Sequence, residues 1–246
     1  MTRKNIGSAA GALATTRQMP HPVVRAMNGT GVPVRVDAVY EVRELRPSGD
    51  GPWSVEAEKI AWTDEMSGYA CIIRRAPQGG HLCGYVAVPP GHPLFGMNPY
   101  AFVGLGIGLH GGVSYASECQ RWEPEHRSIC HVTTAEARRM RDQTEARAMR
   151  EQLVHANAEA LRHDDAWWFG FECNQPDDVS PSSIGKHAHN EHLQGVNERT
   201  YKTEAFVYEE CVRLAVQLKA IEEGRDARAA DPGPSVSRHD PRRLDR

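Results

Sequence analysis

Between positions 34 and 43, Val34, Val36, Ala38, Tyr40 and Val42 alternate with Arg35, Asp37, Glu41 and Arg43. A period of two places successive side chains on opposite faces of an extended chain, so this stretch predicts a β-strand. The runs 69–74 and 82–88 are short, apolar and rich in residues that favour strands. Gly79 and Gly80 lie between them and let the chain reverse, which predicts a hairpin. Pro89, Pro90 and Pro93 follow closely, and proline lacks the amide donor a central strand needs, so residues 89–96 form a structured loop. The chain then re-enters a strand over 109–115 through the glycine-rich segment 104–108. Residues 167–173 read Trp-Trp-Phe-Gly-Phe-Glu-Cys, a buried strand whose bulk requires a facing layer.

Further on, Val207, Cys211, Leu214, Leu218 and Ile221 recur at spacings of 4, 3, 4 and 3. That is one apolar stripe of a helix over 203–223, stopped by Gly224. Residues 134–162 have another character: Ala, Arg and Glu dominate, with a thin apolar set of Met140, Met149, Leu153 and Leu161. They predict a solvated helix whose arginines form a polar face. The expected fold is therefore α+β: a single domain over 31–224, with a mostly antiparallel or mixed sheet packed by the C-terminal amphipathic helix. Residues 1–30 read as a flexible N-terminal segment and 225–246 as a disordered C-terminal tail, since 1–18 are small, polar and basic and 225–246 contain almost nothing large and apolar.

Composition narrows the function classes. The chain has 246 residues and a formal net charge of −3, without the basic stripe of a nucleic-acid binder, so nucleic acid is disfavoured as a partner. Its first residues imitate a signal peptide only faintly, and no run approaches the ~20 apolar residues of a membrane-spanning helix. A cytoplasmic location is expected. On that basis the six cysteines read as reduced, mostly buried thiols.

Three segments could carry chemistry. In Leu109-His110-Gly111-Gly112-Val113-Ser114-Tyr115, two glycines let a ligand approach the backbone beside an imidazole. His110 could act as a base or a metal ligand, or simply hydrogen-bond within a tight turn. Glu172, Cys173 and Asp178 lie where the aromatic strand leaves the sheet. The surrounding acids disfavour a thiolate at Cys173, which leaves Glu172 and Asp178 as the actors and Cys173 as a packed thiol. Finally, Cys119, His126, Cys130 and His131, and separately His187, His189 and His192, supply zinc-type ligands at spacings unlike those of a zinc finger. P-loop, GxSxG, HExxH and helix-opening GxGxxG patterns are absent, and no cofactor follows from the residues.

Several segments occur in the order in which they are found in a family of uncharacterised proteins from phages, mainly of actinobacteria, and from related bacterial genomes. These are residues 58–64 (Glu-Lys-Ile-Ala-Trp-Thr-Asp), 83–96 (from Cys83-Gly84-Tyr85 to Leu94-Phe95-Gly96), 109–115, 129–132 and 167–173, with the closing helix after them. The chain resembles that family over roughly 58–223. The resemblance implies a shared fold, a mobile-element setting and a host-cytoplasmic location, and it points to His92, His110, Cys130, His131, Glu172 and Asp178. Members are similar to Phe-Asp-Cys-Ala-His-Ala-Gly-Asp after the aromatic strand. Here Gln175 stands in place of the histidine, and 134–162 takes the place of a short acidic linker, as an insertion.

Three functions follow as expectations. One is a small-molecule or nucleotide hydrolase or transferase, with His110, Glu172 and Asp178 as catalytic groups and Gly111, Gly112, Tyr115, His92 and Cys173 around the ligand. A second is a non-catalytic protein that sequesters a small molecule or a host protein. The third is a structural protein in which these residues only fill turns and core.

Overall fold

The computed structural model describes residues 16–18, 23–27, 33–120, 122–131, 165–183 and 199–233. Nine strands are described: β1 (Thr16–Gln18), β2 (Val23–Ala26), β3 (Pro33–Val36), β4 (Ala38–Val42), β5 (Lys59–Thr63), β6 (Ala70–Arg75), β7 (Leu82–Val88), β8 (Tyr115–Glu118) and β9 (Trp167–Glu172). Seven form one sheet in the order β1-β4-β5-β6-β7-β9-β8, and β2 and β3 form a separate pair. All neighbouring strands run antiparallel. Helix α1 (Glu204–Glu222) packs on the large sheet, followed by the short α2 (Ala227–Ala230). The α+β reading holds.

The predicted hairpin is β6 paired with β7, and the aromatic run is β9, bonded to β7 along its whole length. Alternation then sorts the side chains. Phe169, Phe171, Val86 and Ile73 join Val207, Cys211, Leu214 and Leu218 of α1 in one core cluster, while Trp168, Tyr85, Ile72 and Tyr40 form a second cluster on the other face. Gly84 and Gly170 make room across the strands. A Cβ on Gly84 would meet the Phe171 ring at 2.4 Å, and one on Gly170 would meet the Tyr85 ring at 2.3 Å.

Several expectations need correction. The alternating stretch from Val34 to Val42 is two strands in different sheets, broken at Asp37, whose N–H bonds Ala61 and whose carboxylate accepts from Thr63. Val34 and Val36 face the α1 side, whereas Ala38, Tyr40 and Val42 face the other, a phase change that uninterrupted alternation cannot produce. Residues 109–114 form a loop with a turn at His110 and Gly111, and the strand begins only at Tyr115. The N-terminal segment is not wholly without structure, since β1 adds to the large sheet and β2 pairs with β3. Within 225–246 the described residues run to Gly233, and there Arg213 on α1 holds Asp231 with two hydrogen bonds, at 2.6 and 2.7 Å. Two of the six cysteines are not free thiols: Cys119 and Cys130 form a disulfide, while Cys71, Cys83, Cys173 and Cys211 are free and buried. The predicted helix 134–162 lies outside the described residues. Among the described residues, no helix is long and apolar enough to cross a membrane.

Candidate functional site

Beside its apolar stripe, α1 buries a polar one made of Glu210, Arg213 and Gln217. Such groups are tolerated in a core only when their hydrogen bonds are satisfied. Here the glycine-rich loop supplies the partners. The Gln217 amide accepts from Gly108 N–H at 2.7 Å and donates to Gly108 C=O at 2.8 Å. The Glu210 carboxylate accepts from the backbone N–H of His110 at 2.8 Å. The loop is thus fixed to the helix at two points, Gly108 and the backbone of His110 itself.

The His110 ring stands edge-on to Phe206 of α1, with centroids 5.2 Å apart, and its Nε2 donates to Oδ2 of Asp178 at 2.7 Å. The same Oδ2 accepts from Gln175 N–H at 2.9 Å. Asp178 is positioned by a backbone bridge to Thr200, just before α1, and its side chain is fully buried while that of His110 is 21% exposed. Lys202 Nζ lies 3.6 Å from Asp178 Oδ1 and over the Phe206 ring, and Oδ1 itself has no hydrogen bond among the described residues. A histidine that donates from Nε2 to a carboxylate keeps the Nδ1 lone pair for a proton. Nδ1 has no partner among the described residues.

Gly111 and Gly112 both have positive φ, at 67° and 75°. A Cβ on Gly111 would meet Gln175 Nε2 at 2.3 Å, so the Gln175 side chain closes over that glycine, whereas nothing lies within 4 Å of a Cβ on Gly112. The Gln175 side chain also donates to the Glu172 carbonyl at 3.2 Å.

The other expected site residues lie elsewhere. Glu172 pairs across the sheet with Cys83, a residue of the second core cluster, and so its side chain projects from the face opposite His110. It is 44% exposed and sits 3.9 Å from His81 Nε2. Tyr115 also packs against the second cluster, edge-on to Tyr85 at 5.3 Å. His92 is a strut: its Nδ1 accepts from Leu94 N–H and its Nε2 donates to the Leu218 carbonyl, both at 3.0 Å. Cys173 is buried behind Asp178, and burial, with the Asp178 charge, pushes its thiol well above the usual range. His131 approaches Asp37 at 3.1 Å, and Cys130 is in the disulfide. His187, His189 and His192 lie outside the described residues. Among the described residues no group of three or more His, Cys, Asp or Glu could hold a metal.

The sequence reading did not single out Lys202, Phe206 or Glu210. One signal was available: Glu210, Arg213 and Gln217 repeat at the helical spacing directly beside the apolar stripe, a broader buried face than a single-sided helix needs. His81 was also missed. It is buried, with no hydrogen bond on either ring nitrogen among the described residues, under the hairpin turn between β6 and β7.

No family model, curated protein or solved structure matches the chain.

Proposed function

We propose that the chain is a small-molecule or nucleotide hydrolase or transferase in which His110 is the general base and Asp178 holds its ring. The observation that carries this reading is the 2.7 Å contact between His110 Nε2 and the buried Asp178. With Nε2–H committed to the carboxylate, Nδ1 takes a proton from a water or substrate hydroxyl, and Asp178 stabilises the imidazolium that forms. General-base assistance of this kind is worth about 10²–10⁴ in rate. Lys202 offers a cation at the same place for a developing negative charge. Glu172 has no part in this chemistry, because its side chain leaves the opposite face of the sheet. The kinship with phage proteins belongs to the same proposal, as a mobile-element setting.

The test is a panel of p-nitrophenyl acetate, p-nitrophenyl phosphate, bis(p-nitrophenyl) phosphate and nucleoside triphosphates, assayed with the wild type and with His110→Gln. Turnover of one class that falls about 100-fold or more in His110→Gln is the expected result. Turnover equal in both proteins, or none with any class, overturns the reading.

The second reading, binding of a small molecule without turnover, draws on the rigid attachment of the loop to Glu210 and Gln217, which keeps the cradle preformed. It predicts saturable ligand binding that His110→Gln weakens while no product accumulates.

A further inference from the structure

A cleft of about 320 Å³ opens where β6 meets its hairpin turn. Arg74, Arg75 and Gln78 form one wall, and Gln120, Glu123 and Arg127 the other. Arg74 follows Ile72 onto the sheet face away from α1 and lies over the Tyr85 ring at 5.5 Å, so this cleft is separate from the His110 site.

Its cations are unequally satisfied. Arg75 is fully buried and held by Glu56 at 3.2 Å, with further bonds to Gly80 C=O and the Tyr201 hydroxyl. Arg74 donates from Nη1 to Gln120 Oε1 at 3.2 Å and to the Arg127 carbonyl at 2.6 Å, but these partners are neutral. Its Nε is buried without a hydrogen bond among the described residues. Neither Arg74 nor Arg127 forms an ion pair among the described residues, and Glu123 is the single carboxylate in the walls. Arg75 is matched by Glu56 and Glu58 behind it, so Arg74 and Arg127 face one carboxylate, Glu123, and leave one positive charge in excess. A half-buried guanidinium without an anion forgoes its strongest form of hydrogen bonding, since the planar N–H fork matches a two-oxygen acceptor.

The outer wall is also preorganised. Gln120, Glu123 and Arg127 all lie within the loop closed by the Cys119–Cys130 disulfide. Lys59, buried beneath that loop, donates to the Cys130 carbonyl at 3.2 Å and to the Glu125 carbonyl at 2.5 Å. The Arg127 backbone is therefore held against Arg74 before any ligand arrives, and only the Arg127 side chain has to be ordered on binding.

We propose that this cleft binds the oxyanion group of a small molecule, a phosphate or a carboxylate, between the guanidiniums of Arg74 and Arg127. The experiment titrates the full chain with sodium phosphate and, separately, with sodium acetate at matched low ionic strength, following the arginine Nε–H signals by NMR. Saturable shifts of the Arg74 and Arg127 signals with at least one anion are expected, and the arm that saturates identifies the group. Arg127→Ala, which removes an exposed side chain and leaves its carbonyl in place, should weaken binding about tenfold or more. His110→Ala should leave it unchanged. The proposal falls if neither anion saturates below about 10 mM, if Arg127→Ala binds like the wild type, or if His110→Ala abolishes binding and so moves the anion to the Lys202 site.

Discussion

His110 and Asp178 meet at 2.7 Å although 68 positions separate them in sequence. One comes from the loop before β8, the other from the loop after β9, and α1 supplies the common floor through Phe206 and Glu210. The carboxylate serves two donors at once, the imidazole and Gln175 N–H. Asp178→Ala leaves both donors without their acceptor and should cost about 1–3 kcal/mol of unfolding free energy, read from the denaturant midpoint. A midpoint equal to the wild type's would mean that the pair does not hold these loops.

Gly111 and Gly112 separate two costs of glycine substitution. At both positions an alanine must adopt positive φ, for about 1–2 kcal/mol. Only at Gly111 does the new methyl also collide with Gln175. Gly111→Ala should thus be more destabilising than Gly112→Ala, and Gln175→Ala should bring the two close together. A double-mutant cycle by thermal unfolding checks this, and equal losses in both single variants would show that Gln175 does not cover Gly111.

The fold was legible where period and composition agree. β6, β7 and β9 are apolar runs bounded by turn residues, and α1 repeats its stripe without interruption, so local pattern and tertiary packing select the same element. Legibility failed where a single residue redirects the chain. Asp37 breaks an alternating stretch because its carboxylate and N–H are both used by β5 and its neighbours, which no periodicity encodes. The candidate site was half legible for a similar reason. His110 and Asp178 stand out as special residue types beside glycines and strand ends, but which acid faces the histidine depends on strand parity. Glu172 and Cys173 point to opposite faces, and only the register with β7 decides which one lies behind Asp178.

Glu56 joins three elements. Its carboxylate accepts from Arg75 Nη2 at 3.2 Å, from the Tyr201 hydroxyl at 2.6 Å and from the N–H of Glu204 at 2.8 Å. The last contact caps α1, whose own N-cap residue, Thr203, makes no side-chain bond. Removing one member of a buried ion pair strands its partner, so Glu56→Ala should cost about 3–5 kcal/mol. Glu56→Gln, which keeps two acceptor contacts but not the charge, should cost less. Chemical denaturation ranks the two variants, and the reverse order would refute this account of the network.

The Cys119–Cys130 disulfide closes a loop of 11-residue separation and restricts the unfolded chain. A cross-link over a loop of this size contributes about 3 kcal/mol in the chain-entropy model. Dithiothreitol should lower the unfolding temperature of the wild type and leave that of Cys119→Ser/Cys130→Ser unchanged. If reductant shifts neither protein, the cross-link adds no stability.

Acid should weaken the fold through histidines that are buried neutral. Burial lowers the affinity of His81 for a proton, opposed by Glu172 and Asp178 and aided by Arg75. Burial does the same at His92, where the Leu218 carbonyl and Glu222 oppose it and Lys219 assists. Both groups titrate below their ordinary value of 6.5 in the folded protein. The unfolded chain therefore binds more protons than the folded one over the interval between the two values, and stability rises with pH there. The stabilisation is fully present above pH 6.5 and is lost progressively as the pH falls from 6.5 toward the lowered folded values. Unfolding free energy measured in steps from pH 7.5 to about pH 5 should decline, with a slope set by the excess protons bound on unfolding. His81→Gln should flatten that decline, since His81 has no hydrogen bond to lose and only the titration is removed. The same slope in His81→Gln as in the wild type would assign the acid sensitivity to other groups.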